Sequence, residues 1–174
     1  VLLKPLSYRD PDRIVTLSNS STTREAPSAL SKQVSIPDFQ DWHDQSSSFE
    51  ALAYYYSRET AVIRGSAAEY ARVTSVSPEF FRVFGVEPLM GRSFTTEETK
   101  RGAGGAAMIS YTYWQSHFGG NPRALEQTLR SPGPRPIVGV LPPGFRFPNN
   151  TDIWVSDVGP PGSRGGQNFL AVGR

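Results

Sequence analysis

Two histidines, His43 and His117, are the only imidazoles in the 174-residue chain, and it has no cysteine. Each lies beside an aromatic side chain, Trp42 or Phe118, in a stretch of helical spacing, a setting in which a histidine serves packing as readily as proton transfer. Neither falls in a pattern that pairs it with a nucleophile, so no triad can be assembled. Asp38, Asp41 and Asp44 recur every three residues, and carboxylates so placed suggest a hard cation. Calcium ligands, however, usually alternate in an irregular segment, and the three acids read as a solvated helix face favoured by the helix dipole. Arg101-Gly102-Ala103-Gly104-Gly105 is glycine-rich but lacks the lysine and hydroxyl of a phosphate loop. Tyr54-Tyr55-Tyr56 and Phe80, Phe81 and Phe84 could stack on a ligand, yet their strand and helix spacings assign them to the core. Asn149-Asn150-Thr151 matches a glycan acceptor, which has weight only in a glycosylating secretory pathway. We assign no catalytic, cofactor-binding or metal-ligating residue, expect no cofactor, and read the chain as not an enzyme.

The scaffold around these residues is better marked. Hydrophobic content of 37%, with ten Phe, seven Tyr and three Trp, suffices for a core, while fifteen Pro and sixteen Gly require many turns. The net charge of +2 comes from 18 basic and 16 acidic side chains with no block of one sign, which gives no electrostatic case for nucleic acid. Without cysteine there is neither a disulfide framework nor a thiolate metal site. No apolar run approaches the roughly 20 residues of a membrane helix. Val1-Leu2-Leu3-Lys4-Pro5-Leu6 lacks an initiator Met, and residues 168–174 stop in an apolar strand-like run, so both ends read as cut from a longer protein.

The strongest local signals occupy residues 70–94, YARVTSVSPEFFRVFGVEPLMGRSF. Val73, Thr74 and Val76 end a strand; Ser77 suits an N-cap, Pro78 a first helical turn, and Phe80, Phe81 and Phe84 one side of a short helix that Gly85 stops. Upstream, Ile14-Val15-Thr16-Leu17 reads as a short strand, and 18–31, rich in Ser, Thr and Pro, as an exposed loop. Ser35 caps a helix in which Ile36, Phe39 and Trp42 recur, ending around 45–48. Residues 49–56 and 61–64 are strand material, and Gly65-Ser66 turns into a partner strand over 69–76. Downstream, Thr95 opens an acidic helical turn, 106–109 is a short buried strand, and Ser110 caps a helix with Tyr111, Trp114 and Phe118. Strands follow at 137–141, 152–155 and 169–172, with a linker-like Gly/Pro loop over 159–166. Trp42 and Phe81 are both expected to be buried. Short strands joined by hairpins and interleaved with few helices favour an α+β fold.

Several blocks then occur in an order that is familiar: VSIPDFQDW (34–42), SFEALA (48–53), VSPEFFRVFGVEPLMGRSF (76–94), SYTYWQSHFGGNP (110–122), VGVLPPGFRFP (138–148), DIWV (152–155) and the closing VGR. Together they resemble the periplasmic core domain of MacB-like permeases, and within that group the large acidobacterial-type permeases. The resemblance covers nearly the whole chain. It implies an extracytoplasmic, periplasmic domain of a bacterial inner-membrane protein, set between the first and second membrane helices of an FtsX-like ABC-transporter permease. It also implies a two-lobed fold: a porter-like α/β lobe from 1–76 plus 168–174, incomplete at its C-terminal end, and an inserted, strand-rich, sabre-like lobe over 77–167. The implied function is non-catalytic: contact with a partner or cargo, and transmission of conformational change across the inner membrane in efflux or mechanotransmission. The implied partners are the membrane helices of its own permease, a periplasmic adaptor protein and a cytoplasmic ATPase subunit or domain. A sheet edge left open by an incomplete lobe would favour a homodimer. The residues that make partner or cargo contact are not assigned.

The alternative is a periplasmic binding module for a lipid or peptide, whose mark would be an apolar groove between the lobes. One block departs from the family: around residues 129–137, SPGPRP puts prolines where ladder donors are expected, which leaves the strand pairing there open. The lobes are expected to hinge, with the return segment 162–167 mobile and the corner at Ser77 ordered.

Overall fold

The computed structural model describes residues 8–23, 26–31, 33–99, 103–156 and 168–174. In chain order the elements are β1 (Val15–Leu17), β2 (Asn19–Thr23), β3 (Ala26–Ser31), α1 (Ile36–Gln45), β4 (Leu52–Arg64), β5 (Ala67–Val76), α2 (Phe80–Phe84) and β6 (Met90–Gly91). They continue as β7 (Ala107–Ile109), α3 (Tyr111–Phe118), β8 (Thr128–Arg130), β9 (Pro134–Val140), β10 (Ile153–Ser156) and β11 (Leu170–Gly173). One mixed sheet runs β1-β11-β4-β5-β10-β7-β9-β6, with β8 beside β4 and β9, while β2 and β3 pair separately. The fold is α+β, as the sequence predicts.

The spine of the sheet is the hairpin β4–β5, in register from Tyr55↔Val76 to Arg64↔Ala67. Its turn is where expected, because Gly65 adopts φ 59°, which residues with a Cβ rarely adopt. Side chains alternate across a strand, so the register assigns each to a face. One face carries Ala53, Tyr55, Val76 and, from β10, Trp154, and α2 packs on it with Phe80, Phe81 and Phe84. The opposite face carries Val62, Ala71, Val73, Ile153 and Val155 beneath α3. It also carries Leu52 and Tyr54, which meet Ile36 and Phe39 of α1. Near the tip the first face is left open.

Three local expectations are corrected by the structure, and one pairing left open is resolved. Residues 18–31 are not a loop: β2 and β3 form an antiparallel ladder from Asn19↔Ser31 to Thr23↔Ala26. The serines and threonines of β2, NSSTT, tolerate extended backbone, and a ladder formed by main-chain groups leaves no apolar signature to read. Ser77 does not cap α2; Glu79 is the N-cap, and the Ser77 hydroxyl instead accepts a bond from Tyr54 N at 3.1 Å. The stretch around 129–137 pairs as a hairpin, Thr128↔Pro136 to Arg130↔Pro134. Ile137 N donates to Gln127 O at 2.9 Å, so odd-numbered amides of β9 face β8 and the donorless Pro134 and Pro136 face away. Trp42 is only partly buried, whereas Phe81 is 5% exposed.

The division expected between residues 76 and 77 falls in the corner between β5 and α2. The ladder from Ile153↔Val73 to Ser156↔Val76 joins β10 to β5 across it. The return segment 162–167, the whole loop over 159–166, and Arg101 and Gly102 lie outside the described residues.

Candidate functional site

The residues with chemical potential are dispersed over the fold. On α1, Ser35 caps the helix by accepting from Asp38 N at 3.2 Å and donating to Asp38 Oδ2 at 2.7 Å. This satisfies an orphan amide and gives Asp38 its role. Asp41 and Trp42 line a shallow groove with Leu17, Gln45 and Phe49. Asp44 stands 3.3 Å from His43 Nδ1. Among the described residues, no group of three His, Cys, Asp or Glu side chains is gathered in a way that could hold a metal ion.

His43 Nε2 lies 3.7 Å from Glu79 Oε2, across a cleft of about 350 Å³ between α1 and the approach to α2. Glu79 is already engaged: Oε2 accepts from Leu52 N at 3.1 Å, and Oε1 faces Arg82 Nη1 at 3.3 Å. The arrangement ties α1, β4 and α2 together through one carboxylate. Nothing in the sequence spacing links position 43 to 79.

The second histidine belongs to a tighter cluster. Tyr113 is buried on α3, its ring stacked on His117 at 4.0 Å and 19°, and its hydroxyl donates to Glu69 Oε1 on β5. His117 Nε2 meets Glu69 Oε2 at 2.8 Å, and Nδ1 lies 2.8 Å from Ser116 Oγ. Burial, then the bond to Glu69, pushes the Tyr113 phenol well above its ordinary value. Serine, histidine and carboxylate thus connect in the order of a hydrolytic relay, but the geometry does not suit one. Ser116 spends its proton on Thr112 O, one turn back at 2.9 Å, and sits within a helix whose amides are already bonded. The cluster fastens α3 to the hairpin, and Arg64 adds a cation–π contact, its guanidinium carbon 5.2 Å from the centre of the Phe118 ring.

Tyr54, Tyr55, Phe80, Phe81 and Phe84 are core, as their spacing predicts, whereas Tyr56, expected with them, is 41% exposed because alternation puts it beyond the cover of α1. Tyr54 packs edge-on against Phe39 and Phe169 at 4.9 and 5.2 Å, while Tyr55 meets Phe80 and Phe147 on the other face at 5.7 and 5.3 Å. In the Asn149-Asn150-Thr151 triplet, both asparagines adopt positive φ and Thr151 is buried, donating to Pro148 O at 2.6 Å. The triplet is a structured turn. Gly105, from the glycine-rich run, lies against the Arg135 guanidinium.

Two surfaces stand apart. At the hairpin tip the open face shows Ala61, Ile63, Ala68 and Tyr70, with Tyr70 83% and Ile63 42% exposed. At the other end of β4, Leu52 pairs with Gly173 of β11, and Gly173 with Val15 of β1, so the chain enters and leaves beside the hairpin base. Alternation in the sequence places Tyr70 and Ile63 on a strand. Only the folded arrangement shows that both are left exposed.

Three solved structures share this architecture. A domain of a putative permease from Porphyromonas gingivalis aligns with TM-score 0.71 at 17% identity, covering 96% of this chain and 74% of that one. The periplasmic region of MacB from Actinobacillus actinomycetemcomitans gives 0.66 at 14%, covering 92% and 74%. The extracellular domain of the noncanonic ABC-type transporter YknZ from Gram-positive bacteria gives 0.65 at 13%, covering 92% and 82%. A search of curated proteins finds no match. At these identities the likeness carries the fold. Among the described residues no helix is long and apolar enough to cross a membrane. The family follows from the sequence itself: the model of the MacB-like periplasmic core domain matches residues 4–171, and the chain belongs to that family of periplasmic domains of ABC-transporter permeases.

Proposed function

We propose that the domain is a non-catalytic transmission and contact element of its permease, carrying displacement from the membrane helices at one end to a partner or cargo contact at the other. The hairpin β4–β5 supports this reading most directly. Its base is paired, through β11, to the strand on which the chain enters. Its tip lies thirteen residues along β4, roughly 40 Å away at the usual strand rise. The base is clamped between α1 and α2, so a tilt imposed there is conveyed to the tip by a continuous ladder. The open strip of Ala61, Ile63, Ala68 and Tyr70 is then the contact surface, offered to the apolar face of a periplasmic adaptor protein. A cytoplasmic ATPase subunit or domain supplies the driving movement. The test is a photo-crosslinking residue at position 70 in the full-length permease: capture of a periplasmic protein, lost with Ile63→Asp, is expected, and an uncaptured Tyr70 position would remove the tip from the account.

The division into a porter-like part, 1–76 plus 168–174, and a sabre-like part, 77–167, belongs to the same proposal. Because β5 and β10 are laddered across the boundary, a hinge there acts by flexing that ladder. The domain also folds without metal or nucleotide. Its melting temperature is expected to stay unchanged with chelator, calcium, zinc or ATP, and a shift of several degrees with any of them would count against a purely structural role. The alternative, a periplasmic module for a lipid or peptide, rests on the His43–Glu79 cleft. Its 350 Å³ lies near the lower end of the roughly 300–1,000 Å³ of ligand pockets, and it would take one or two side chains of a peptide.

A further inference from the structure

The two ends of the domain meet at one fork, and a single guanidinium closes it. β1 and β11 are antiparallel with Val15 opposite Gly173, so the chain enters and leaves at the same end of the pair. Forces that draw these ends apart load the ladder one hydrogen-bonded pair at a time, beginning at Val15 and Gly173. That is the direction in which two strands resist least, because their bonds do not share the load.

Arg174 stands immediately outside this fork. Its backbone prolongs the pairing with the start of β4: Arg174 N donates to Ala51 O at 2.9 Å, and Glu50 N to Arg174 O at 2.7 Å. Its side chain, 5% exposed, turns across the opening, where Nε donates to Val83 O at 2.7 Å and Nη2 donates to Arg9 O. Val83 O belongs to the last turn of α2, where carbonyls lack helical partners. The segment carrying Arg9 lies against the same turn. A Cβ on Gly85 would stand 3.0 Å from Arg9 Cβ, and the Tyr8 ring packs edge-on to Phe84 and Phe145 at 5.2 and 5.6 Å.

As a contribution to folding, this arrangement is poor. Among the described residues no carboxylate pairs with Arg174, and Nη1 is buried without a partner. A buried cation held by carbonyls alone is costly, and an apolar side chain would fill the same space at less expense. What a guanidinium offers is a rigid planar fork that reaches carbonyls on two separate elements at once.

We propose that Arg174 is a positioning residue for transmission: a staple that binds the entering segment to the exit strand and to α2, so that the two ends move as one foot. The inference rests on the reading that both ends continue into membrane helices. When those helices separate, the Arg174–Arg9 link is loaded before the β1–β11 ladder, and the displacement passes into α2 and its aromatic bed.

Arg174→Gln and Arg174→Lys in the 174-residue chain test this by hydrogen exchange and by single-molecule pulling. The native chain has no cysteine, so pulling points are set unambiguously, once through the two ends and once through cysteines at Arg58 and Gln115. Arg174→Gln is expected to speed exchange over residues 8–17 by about tenfold or more, with β7 and β10 unchanged. It should lower the rupture force along the end-to-end axis alone. Arg174→Lys, whose ammonium serves one carbonyl at a time, is expected to fold with a near-native melting temperature and show the same selective effect; it decides alone if the Gln variant fails to fold. Unchanged exchange in Arg174→Lys overturns the staple, as does a uniform rise that includes β7 and β10, or equal weakening along both axes, which would mark an ordinary core residue. These outcomes are independent of the membrane reading. That reading fails separately if the full-length protein has no membrane helix on either side of the domain.

Discussion

Helices α2 and α3 lie on opposite faces of one sheet and are attached by different physics. α2 has five residues, four of them buried, and is held by the shape of its aromatic rings against Tyr55, Phe145, Phe147 and Trp154. α3 has eight residues of which only Tyr113 is buried, and it is held by the bonds from Tyr113 and His117 to Glu69. The short helix is chiefly an apolar block, tied at its start through Glu79 to Leu52 N and Arg82. The longer one is latched by hydrogen bonds that can be exchanged for water. The block sits where the chain ends are gathered, and the latch lies on the far half of the hairpin. A domain that passes movement along would be stiff at the first place and compliant at the second.

The largest effect should come from the block. Phe80→Ala and Phe81→Ala are each expected to destabilise the domain by about 3–5 kcal/mol in denaturant melts, the usual cost of truncating a buried aromatic. Less than about 1 kcal/mol for both would mean that α2 is not the anchor. Trp42→Ala, which the sequence pattern put on a par with Phe81, should cost roughly 1–2 kcal/mol, because the indole is only partly removed from water.

The latch should give intermediate effects. Tyr113→Phe deletes one bond while leaving Glu69 paired with His117, so a loss of about 1 kcal/mol is expected. It should be accompanied by faster exchange in α3 and no change in α2. The same phenol carries a pH dependence. Its folded-state pKa is raised by burial and by Glu69, so the stability it contributes is complete below the unfolded value of 10 and is lost as pH rises through the folded value. Melts at about pH 9 and 11 should show stability falling across that interval, and falling less in Tyr113→Phe. Tyr8 and Tyr55, on the α2 side, are raised by burial alone, so part of the decline should survive in the variant. An unaltered slope would mean that Tyr113 is neither buried nor bonded to Glu69 in solution.

The smallest effect belongs to the tip. Tyr70→Ser removes a ring that is 83% exposed and should change stability by less than about 0.5 kcal/mol. A larger loss would show the strip to be covered by the protein itself, and its reading as a contact surface would fall.

The contrast between the helices was half legible in the chain. Phe80, Phe81, Phe84 and the stop at Gly85 announce α2 and its burial, because local spacing and one left-handed position encode both. Ser110 and Gly119 bound α3 equally well. What holds α3 is invisible, since Glu69 and Tyr113 are brought together only by the register of a sheet that threads β7, β10 and β5 in an order the sequence does not display. Arg174 is hidden for the same reason: its partners are Arg9 and Val83, and no periodicity relates positions so far apart. The β2–β3 ladder escaped notice because turn-like residues made main-chain bonds there.

Native-state hydrogen exchange followed against denaturant compares the two helices most directly. Amides of α2 at Val83 and Phe84 should exchange only through global unfolding, with the full denaturant dependence of the domain, whereas those of α3 from Trp114 to Phe118 should open through a smaller, sub-global step. If α3 proves as protected as α2, or if α2 opens first, the division into a stiff block and a yielding latch is wrong.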